Sequence, residues 1–324
     1  MRILVLGGTA WLGRRTAELA RDAGHDVTCL ARGESGAAPD GVRLLRADRD
    51  AADAYAKLTG EWDAVIEVSW QPAHVRGALA ALGDRVAHWV YVSSVSAYAD
   101  PGSGDERHEP WRGEGLAGDE DYGPAKVACE DAVLARGSGA AMVVRPGLIG
   151  GYGDPSDRLG YWPARFARAQ DSEQVLVPDP ARSFQVIDVD DLAAFLVQAA
   201  ATAVPGTVDA VGDTHTLRGL LQVCAEVTGT TPVPVVASDD ELLAHEVRPW
   251  AGPDSLPLWI PTSAGVELLR DNAAARAAGL VVRPMAETVA ASLRWEREQG
   301  LDRQRRSGLS AATEARVLSD RPRS

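Results

Sequence analysis

Short apolar runs alternate with helix-patterned stretches through the first 150 residues, and this rhythm limits the fold more than any other feature of the chain. The runs are "RILVLG" (2–7), "DVTCLA" (26–31), "VRLLRA" (42–47), "DAVIEVS" (63–69), "HWVYVSS" (88–94) and "AAMVVRP" (140–146). Between most of them lie "WLGRRTAELARDAG" (11–24), "DAADAYAKLTG" (50–60), "PAHVRGALAALG" (72–83) and "DYGPAKVACEDAVLARG" (121–137), with apolar residues three to four apart and several closing on Gly. Such alternation builds a parallel sheet covered on both faces. The expected class is α/β, a doubly wound parallel sheet.

After residue 150 the rhythm changes. "GGYGDPSDRLGYWPARFARA" (150–169) mixes turn signals with a short aromatic helix. "QVLVPD" and "SFQVIDV" look like short strands, and "DDLAAFLVQAA" like a helix. "TVDAVG", "THTLRGLLQVCAEVTG" and "VPVVAS" make another strand–helix–strand set, and the tail from Arg283 holds one amphipathic helix followed by "DRQRRSGLSAATEARVLSDRPRS". The Gly-, Pro- and charge-rich segment 98–120 reads as a long loop, and long loops in compact domains are often functional. A division at 1–150 and 151–324 follows, with segments near 183–211 returning to the first part and a smaller C-terminal α/β region left over.

Bulk properties exclude some functions. The net charge of −13 counts against broad nucleic-acid binding, which needs a Lys/Arg excess to replace phosphate counterions. Cys29, Cys129 and Cys224 form no CxxC pair or metal-like cluster, which suggests free thiols in a reducing compartment. The apolar run Ile3–Leu6 is too short for a signal-peptide core, and no stretch approaches a membrane span. A cytoplasmic protein acting on a small molecule, without metal, membrane or nucleic acid, is expected. Nine Trp against three Phe suggest core filling, with some indoles lining a pocket.

The stretch "LGGTAWLGRR" is a strand end, a Gly-rich turn and a helix start. Backbone N–H groups and the helix dipole there can cradle a pyrophosphate. Gly7 makes the tight turn, and Gly13 lets the helix pack closely. Ala10, at the middle glycine position, adds only a Cβ, which the turn tolerates if φ is negative. Thr9, Trp11 and Leu12 belong to the same cradle. The second strand ends in Ala31-Arg32, where an acid would normally grip a ribose; Arg32, with Arg14 as a second candidate, could clamp a 2′-phosphate. This points to NADP(H) over NAD(H), while a solvated Arg32 over the adenine leaves NAD open. Asp48 could accept from an adenine amino group or cap a helix.

"DYGPAKVACE" contains Tyr122 and Lys126, a Y-x-x-x-K pair on one helical face. A phenol is a poor acid–base group at neutral pH unless an ammonium favours its phenolate. Ser94 ends the fifth strand, at the edge where ligands of open α/β sheets bind, with Ser93 and Ser96 as fallbacks. Ser94, Tyr122 and Lys126, with the Gly7–Gly13 turn, resemble the short-chain dehydrogenase/reductase superfamily. "VVRPGLIGGYG" (143–153) and "SFQVIDVDDLAAFLV" (183–197) resemble its extended, epimerase/dehydratase-like branch, over roughly residues 1–200. The resemblance implies a Rossmann-like dinucleotide domain over 1–150, and a substrate-binding region over 151–324. In it Tyr122 is the acid–base group, Lys126 tunes it and holds the nicotinamide ribose, and Ser94 polarises the substrate oxygen. Val68, Ser69 and Pro146 would then border the cofactor. Trp70, Trp111, Tyr152, Trp162 and Gln185 lie on segments expected to border the cleft. A homodimer is expected by the same analogy.

The chain departs from sugar-nucleotide members at Ala31-Arg32, at "EVSWQP" (67–72) and at "RPGLIGG". A reductase of a small carbonyl or imine substrate, aromatic ones included, therefore fits better than a nucleotide-sugar epimerase or dehydratase with tightly held NAD. A non-catalytic cofactor sensor or RNA-associated member is a further alternative, disfavoured by the Tyr/Lys pair and the acidic charge.

Overall fold

The computed structural model describes residues 1–100, 102, 104–111, 122–137, 141–266 and 269–321. In chain order the elements are β1 Arg2–Leu6, α1 Trp11–Asp22, β2 Asp26–Ala31, β3 Arg43–Arg46, β4 Trp62–Glu67, α2 Pro72–Leu82, β5 Val86–Val92, α3 Tyr122–Leu134, β6 Ala141–Pro146, β7 Ile149–Gly150, α4 Tyr161–Arg168, β8 Gln174–Val177, β9 Ser183–Gln185, β10 Ile187–Asp188, α5 Val189–Thr202, β11 Gly206–Ala210, β12 Thr214–Thr216, α6 Leu217–Thr228, β13 Val233–Val236, α7 Asp239–Ala244, β14 Arg248–Pro249, β15 Ser255–Leu256, α8 Ala273–Ala277, α9 Met285–Gln299 and α10 Ala311–Ser319. They fall into two compact units. The first comprises Met1–Leu148, Val189–Gly212 and Arg270–Val282; the second comprises Ile149–Asp188, Asp213–Leu269 and Arg283–Ser324.

The first unit is a seven-stranded sheet in the order β11-β6-β5-β4-β1-β2-β3, with every pairing parallel. The order reverses between β1 and β4, the switch point at which such sheets open a crevice beyond their strand ends. Helices α1 and α5 pack together, as do α2 and α3. Trp62, Leu82, Trp89, Tyr91, Val133 and Val143 belong to one buried cluster of this unit. Buried strands in this setting lose the period-2 signature, which is why the runs read as continuous.

Three details differ from the sequence reading. Residues 50–60, patterned like a helix, form successive turns, with Ala54 N–H on Ala51 O and Leu58 N–H on Tyr55 O. The segment 183–188 stays in the second unit, because β9 pairs with β12 and β10 with β7. Arg270–Val282 joins the first unit instead, through Arg270 to Asp209 and through Asn272 Nδ2–H donating to Val211 O.

The second unit pairs β13 with β8 in parallel and packs α4 against α6 and α9. The tail adds α10, whose start is fixed by Ser310 Oγ accepting from Thr313 N–H. Its Glu314 takes Arg165 Nε–H at 2.7 Å and Leu176 N–H at 3.0 Å. Among the described residues no helix is long and apolar enough to cross a membrane, and no group of three His, Cys, Asp or Glu side chains could hold a metal. All three cysteines are buried and free.

His88 on β5 is 1% exposed, and neither ring nitrogen finds a partner among the described residues. Burial lowers its pKa, so the folded protein holds it neutral where the unfolded chain would protonate it. The unfolded state binds the extra proton, so stability is lost as pH falls below about 6.5, by at most about 1.4 kcal/mol per pH unit from this group. Urea unfolding at pH 7.5 and 5.5 is expected to show a smaller acid loss for His88→Leu than for the wild type; equal losses would remove His88 from the account.

Candidate active site

The turn after β1 is built for an anion. Gly7 sits at φ +96°, and a Cβ on Gly13 would collide with the Gly7 carbonyl oxygen, so α1 begins closer to the strand than any other residue would allow. Ala10 has φ −82° and ψ 162°, an extended conformation in which its Cβ is unstrained. No side chain caps α1, and its first turn carries no acid. Such an N-terminus offers its dipole and amides to a pyrophosphate. Thr9 is buried beside it, while Trp11 and Leu12 are half-buried. The residues present fit a dinucleotide at this turn. Val68 borders it too: a Cβ on Gly7 would stand 2.5 Å from Val68 Cγ2. Pro146 ends β6, paired in register with Ala210.

At the ribose end Arg14 Nη1–H donates to Ala37 O at 2.5 Å. Arg32 pairs with Glu34 at 3.2 Å, both exposed. Asp48 Oδ1 accepts from Asp50 N–H at 3.1 Å, a local turn bond. Arg46, which the sequence reading passed over, is brought in by register: it lies opposite Ala31, and its Nη1 is 3.2 Å from where a Cβ on Gly33 would be. Only the pairing of β2 with β3 reveals this.

Tyr122 opens α3 and is 42% exposed, whereas Lys126, one turn on, is 2% exposed. Lys126 Nζ lies 5.8 Å from the Tyr122 ring centre and 5.0 Å from that of Tyr91. Among the described residues its hydrogen bonds go to two backbone carbonyls, Val92 O at 2.6 Å and Ser69 O at 3.2 Å, rather than to a carboxylate. Burial pulls its pKa down to about 8, against the opposing pull of Cys129, Glu67 and Glu130. Ser94, 9% exposed, accepts from Ser96 N–H at 3.1 Å through its Oγ, which keeps the hydroxyl hydrogen for another acceptor. Gly123 is a residue the motif reading missed: a Cβ there would collide with Ser96 O, so a glycine is what lets the start of α3 meet the Ser94–Ser96 turn. Ser93 is committed elsewhere, donating to Glu130 Oε1 at 2.5 Å.

Of the pocket candidates, Trp70 lies against Tyr122, with ring centres 6.0 Å apart at 53°. Trp111 is exposed, its backbone N–H donating to Ala97 O, and residues 112–121 lie outside the described residues. In the second unit Tyr152 is exposed and donates to Glu298 Oε2 at 2.5 Å, and Gln185 Nε2–H reaches Thr214 Oγ1 at 3.3 Å. Trp162 is not a pocket residue. It is fully buried and its indole N–H donates to Pro257 O, a core role that helical spacing in "YWPARF" could not separate from a lining one.

Sheet order, glycine turn and Ser/Tyr/Lys grouping define a dinucleotide-binding α/β protein. The profile of the NAD dependent epimerase/dehydratase family matches residues 3–88 and 74–211, and the chain belongs to that family, an NAD-dependent enzyme class of the extended short-chain dehydrogenase/reductase type. A 2'-dehydrokanamycin reductase of Streptomyces kanamyceticus is 31% identical over 208 residues, 61% of this chain and 57% of that protein, so the match spans a little over half of the relative's length. Among solved structures, a candidate epimerase from Burkholderia cenocepacia J2315 shares the fold with a TM-score of 0.70 at 23% identity, over 92% of this chain and 98% of that one. The UDP-glucuronic acid 4-epimerase of Bacillus cereus, in complex with NAD, does so with a TM-score of 0.67 at 12% identity, over 92% and 99%.

Proposed function

We propose that this protein is an NADP(H)-dependent reductase that delivers a hydride and a proton to a C=O or C=N bond of a small substrate. The observation that carries the reading is Lys126, a buried ammonium held by backbone carbonyls 5.8 Å from the ring of an exposed tyrosine. A lysine buried without a carboxylate partner is costly for stability, and perturbed cations of this kind concentrate at functional sites.

The bound dinucleotide supplies the hydride. Tyr122 donates its phenolic proton to the substrate oxygen or nitrogen as the C–H bond forms, and Lys126 stabilises the phenolate left behind. Ser94 donates its free hydroxyl hydrogen to the same substrate atom and fixes it in place. In the oxidative direction the same groups run in reverse. The relative named as a reductase supports reduction over epimerisation, as do the departures at Ala31-Arg32 and 67–72. Titrating NADPH and NADH by quenching of tryptophan fluorescence, followed by a carbonyl and imine panel, tests the reading. Turnover without added dinucleotide, or none with any panel member, would count against it.

Preference for the 2′-phosphate rests on Arg14, Arg32 and Arg46 around the ends of β2 and β3, where Ala31-Arg32 stand in place of an acid at the end of β2. The Arg32–Glu34 pair is exposed and therefore weak enough to be exchanged for a phosphate. Replacing Arg32 and Arg46 together by Ala is expected to raise the Kd for NADPH about 10- to 100-fold relative to NADH. An unchanged ratio would remove both arginines from the argument.

A further inference from the structure

Tyr122 and Lys126 are placed by a neighbouring turn, residues 67–71, that joins β4 to α2. Ser69 O receives both Lys126 Nζ and, at 3.2 Å, the Tyr91 hydroxyl. The Trp70 ring lies against Tyr122, and the Trp70 carbonyl accepts the Cys129 thiol at 3.7 Å. Connections of this kind tend to be mobile, yet this one is anchored at its base. Glu67, 0% exposed, accepts Ser69 N–H on Oε1 at 2.8 Å. Both of its oxygens are gripped by Arg49, at 2.9 and 2.6 Å. Arg49 also donates to His74 O at 2.7 Å and to Tyr55 OH at 3.0 Å, and Tyr55 OH donates to His74 O at 2.9 Å. One guanidinium thus joins the turns after β3, the end of β4 and the first turn of α2.

The geometry points to the buried Arg49–Glu67 pair as a positioning device for the acid–base pair: Glu67 sets the turn that presents the Ser69 carbonyl to Lys126 and the Trp70 ring to Tyr122. This rests on the reading of Tyr122 and Lys126 given above. Stability alone does not call for such a pair, since a buried ion pair costs about what it returns and apolar residues of similar volume replace it without loss. What it adds is direction: a planar fork on both carboxylate oxygens, with the Ser69 amide on one of them, fixes the turn in one orientation.

The charged and titratable groups around Lys126 are few. Glu67 faces it from β4 and Tyr91 from β5; Tyr122, Cys129 and Glu130 share α3 with it. Glu130 is already matched by Arg145, and burial keeps the Cys129 thiol protonated. Removing Arg49 and Glu67 together keeps the local charge balanced, so a change at Tyr122 reports the position of Lys126 rather than a changed field: with the Ser69 carbonyl released, the ammonium is held less firmly against the Tyr122 ring.

The test needs no substrate. The ultraviolet difference titration of the protein against its Tyr122→Phe variant isolates the ionisation of Tyr122. In the background of the double variant Arg49→Met with Glu67→Leu this ionisation is expected to move to higher pH by about half to one unit, a three- to tenfold change in the ionisation constant. The apolar double variant Arg49→Met with Glu67→Leu leaves no buried charge unpaired and is expected to fold. The shift is expected because release of the Ser69 carbonyl lets Lys126 draw away from Tyr122. Tyr122 titrating at its wild-type pH in the folded double variant would overturn the proposal and leave the pair a purely structural one. A shifted titration in a protein that reduces no carbonyl or imine would instead sink the reductase reading and leave the positioning intact.

Discussion

Replacing Tyr122 by Phe is expected to cut turnover of a reducible substrate by about 10²- to 10⁴-fold, the usual contribution of a positioned general acid. The change removes one oxygen and keeps the ring that lies against Trp70 at 6.0 Å. Tyr122 is 42% exposed, so its hydroxyl is not part of the core, and stability should stay within about 0.5 kcal/mol of the wild type. NADPH binding should survive, because the glycine turn and the β2–β3 arginines are untouched. The proton is transferred only as the transition state forms, so kcat and kcat/KM should fall together while substrate affinity holds. The wild-type pH–rate profile should carry a limb that reports the phenol acting as the acid. The variant should lose the limb that reports the phenol. A Phe variant with near wild-type turnover on a confirmed substrate would end the acid–base assignment.

Much of the first unit was legible because its signals are local. Six apolar runs matched six strands of one sheet, and four residues of spacing matched the Tyr122–Lys126 turn of α3. The Ala10 departure was legible too, since its tolerance hangs on one backbone angle, which is −82°. What stayed hidden was decided by partners distant in sequence. Residues 50–60 have helical spacing, but Tyr55 is drawn to His74 and Arg49 to Glu67, and the chain between them folds as turns. Arg270 reads as an isolated cation at the end of "AGVELLR", yet it lies 3.6 Å from the centre of the Tyr98 ring and pairs with Asp209, carrying its segment into the first unit. Arg46 and Glu67 read as ordinary strand-end charges. Each acquires a role only once register and burial are known, because a charge pattern does not say which carboxylate a guanidinium will find.

Arg145→Met should destabilise the first unit by about 3–5 kcal/mol, the cost of leaving a buried charge without its partner. Arg145 on β6 and Glu130 on α3 are 4% and 2% exposed, joined through both oxygens at 2.9 and 2.6 Å. With the guanidinium gone, Glu130 retains only the Ser93 hydroxyl as a side-chain donor among the described residues, in a site that cannot solvate a carboxylate. The loss also reaches Tyr98, whose ring centre lies 4.6 Å from Arg145 and whose hydroxyl donates to Asp209 at 2.6 Å. A second signature separates charge from packing. Adding Glu130→Gln removes the orphaned charge and should recover most of the loss at pH 8, a coupling that urea unfolding of the four proteins of the cycle would measure. A single variant within about 1 kcal/mol of the wild type, or a double variant no more stable than the single one, would show that this pair does not hold β6 to α3 through its charge.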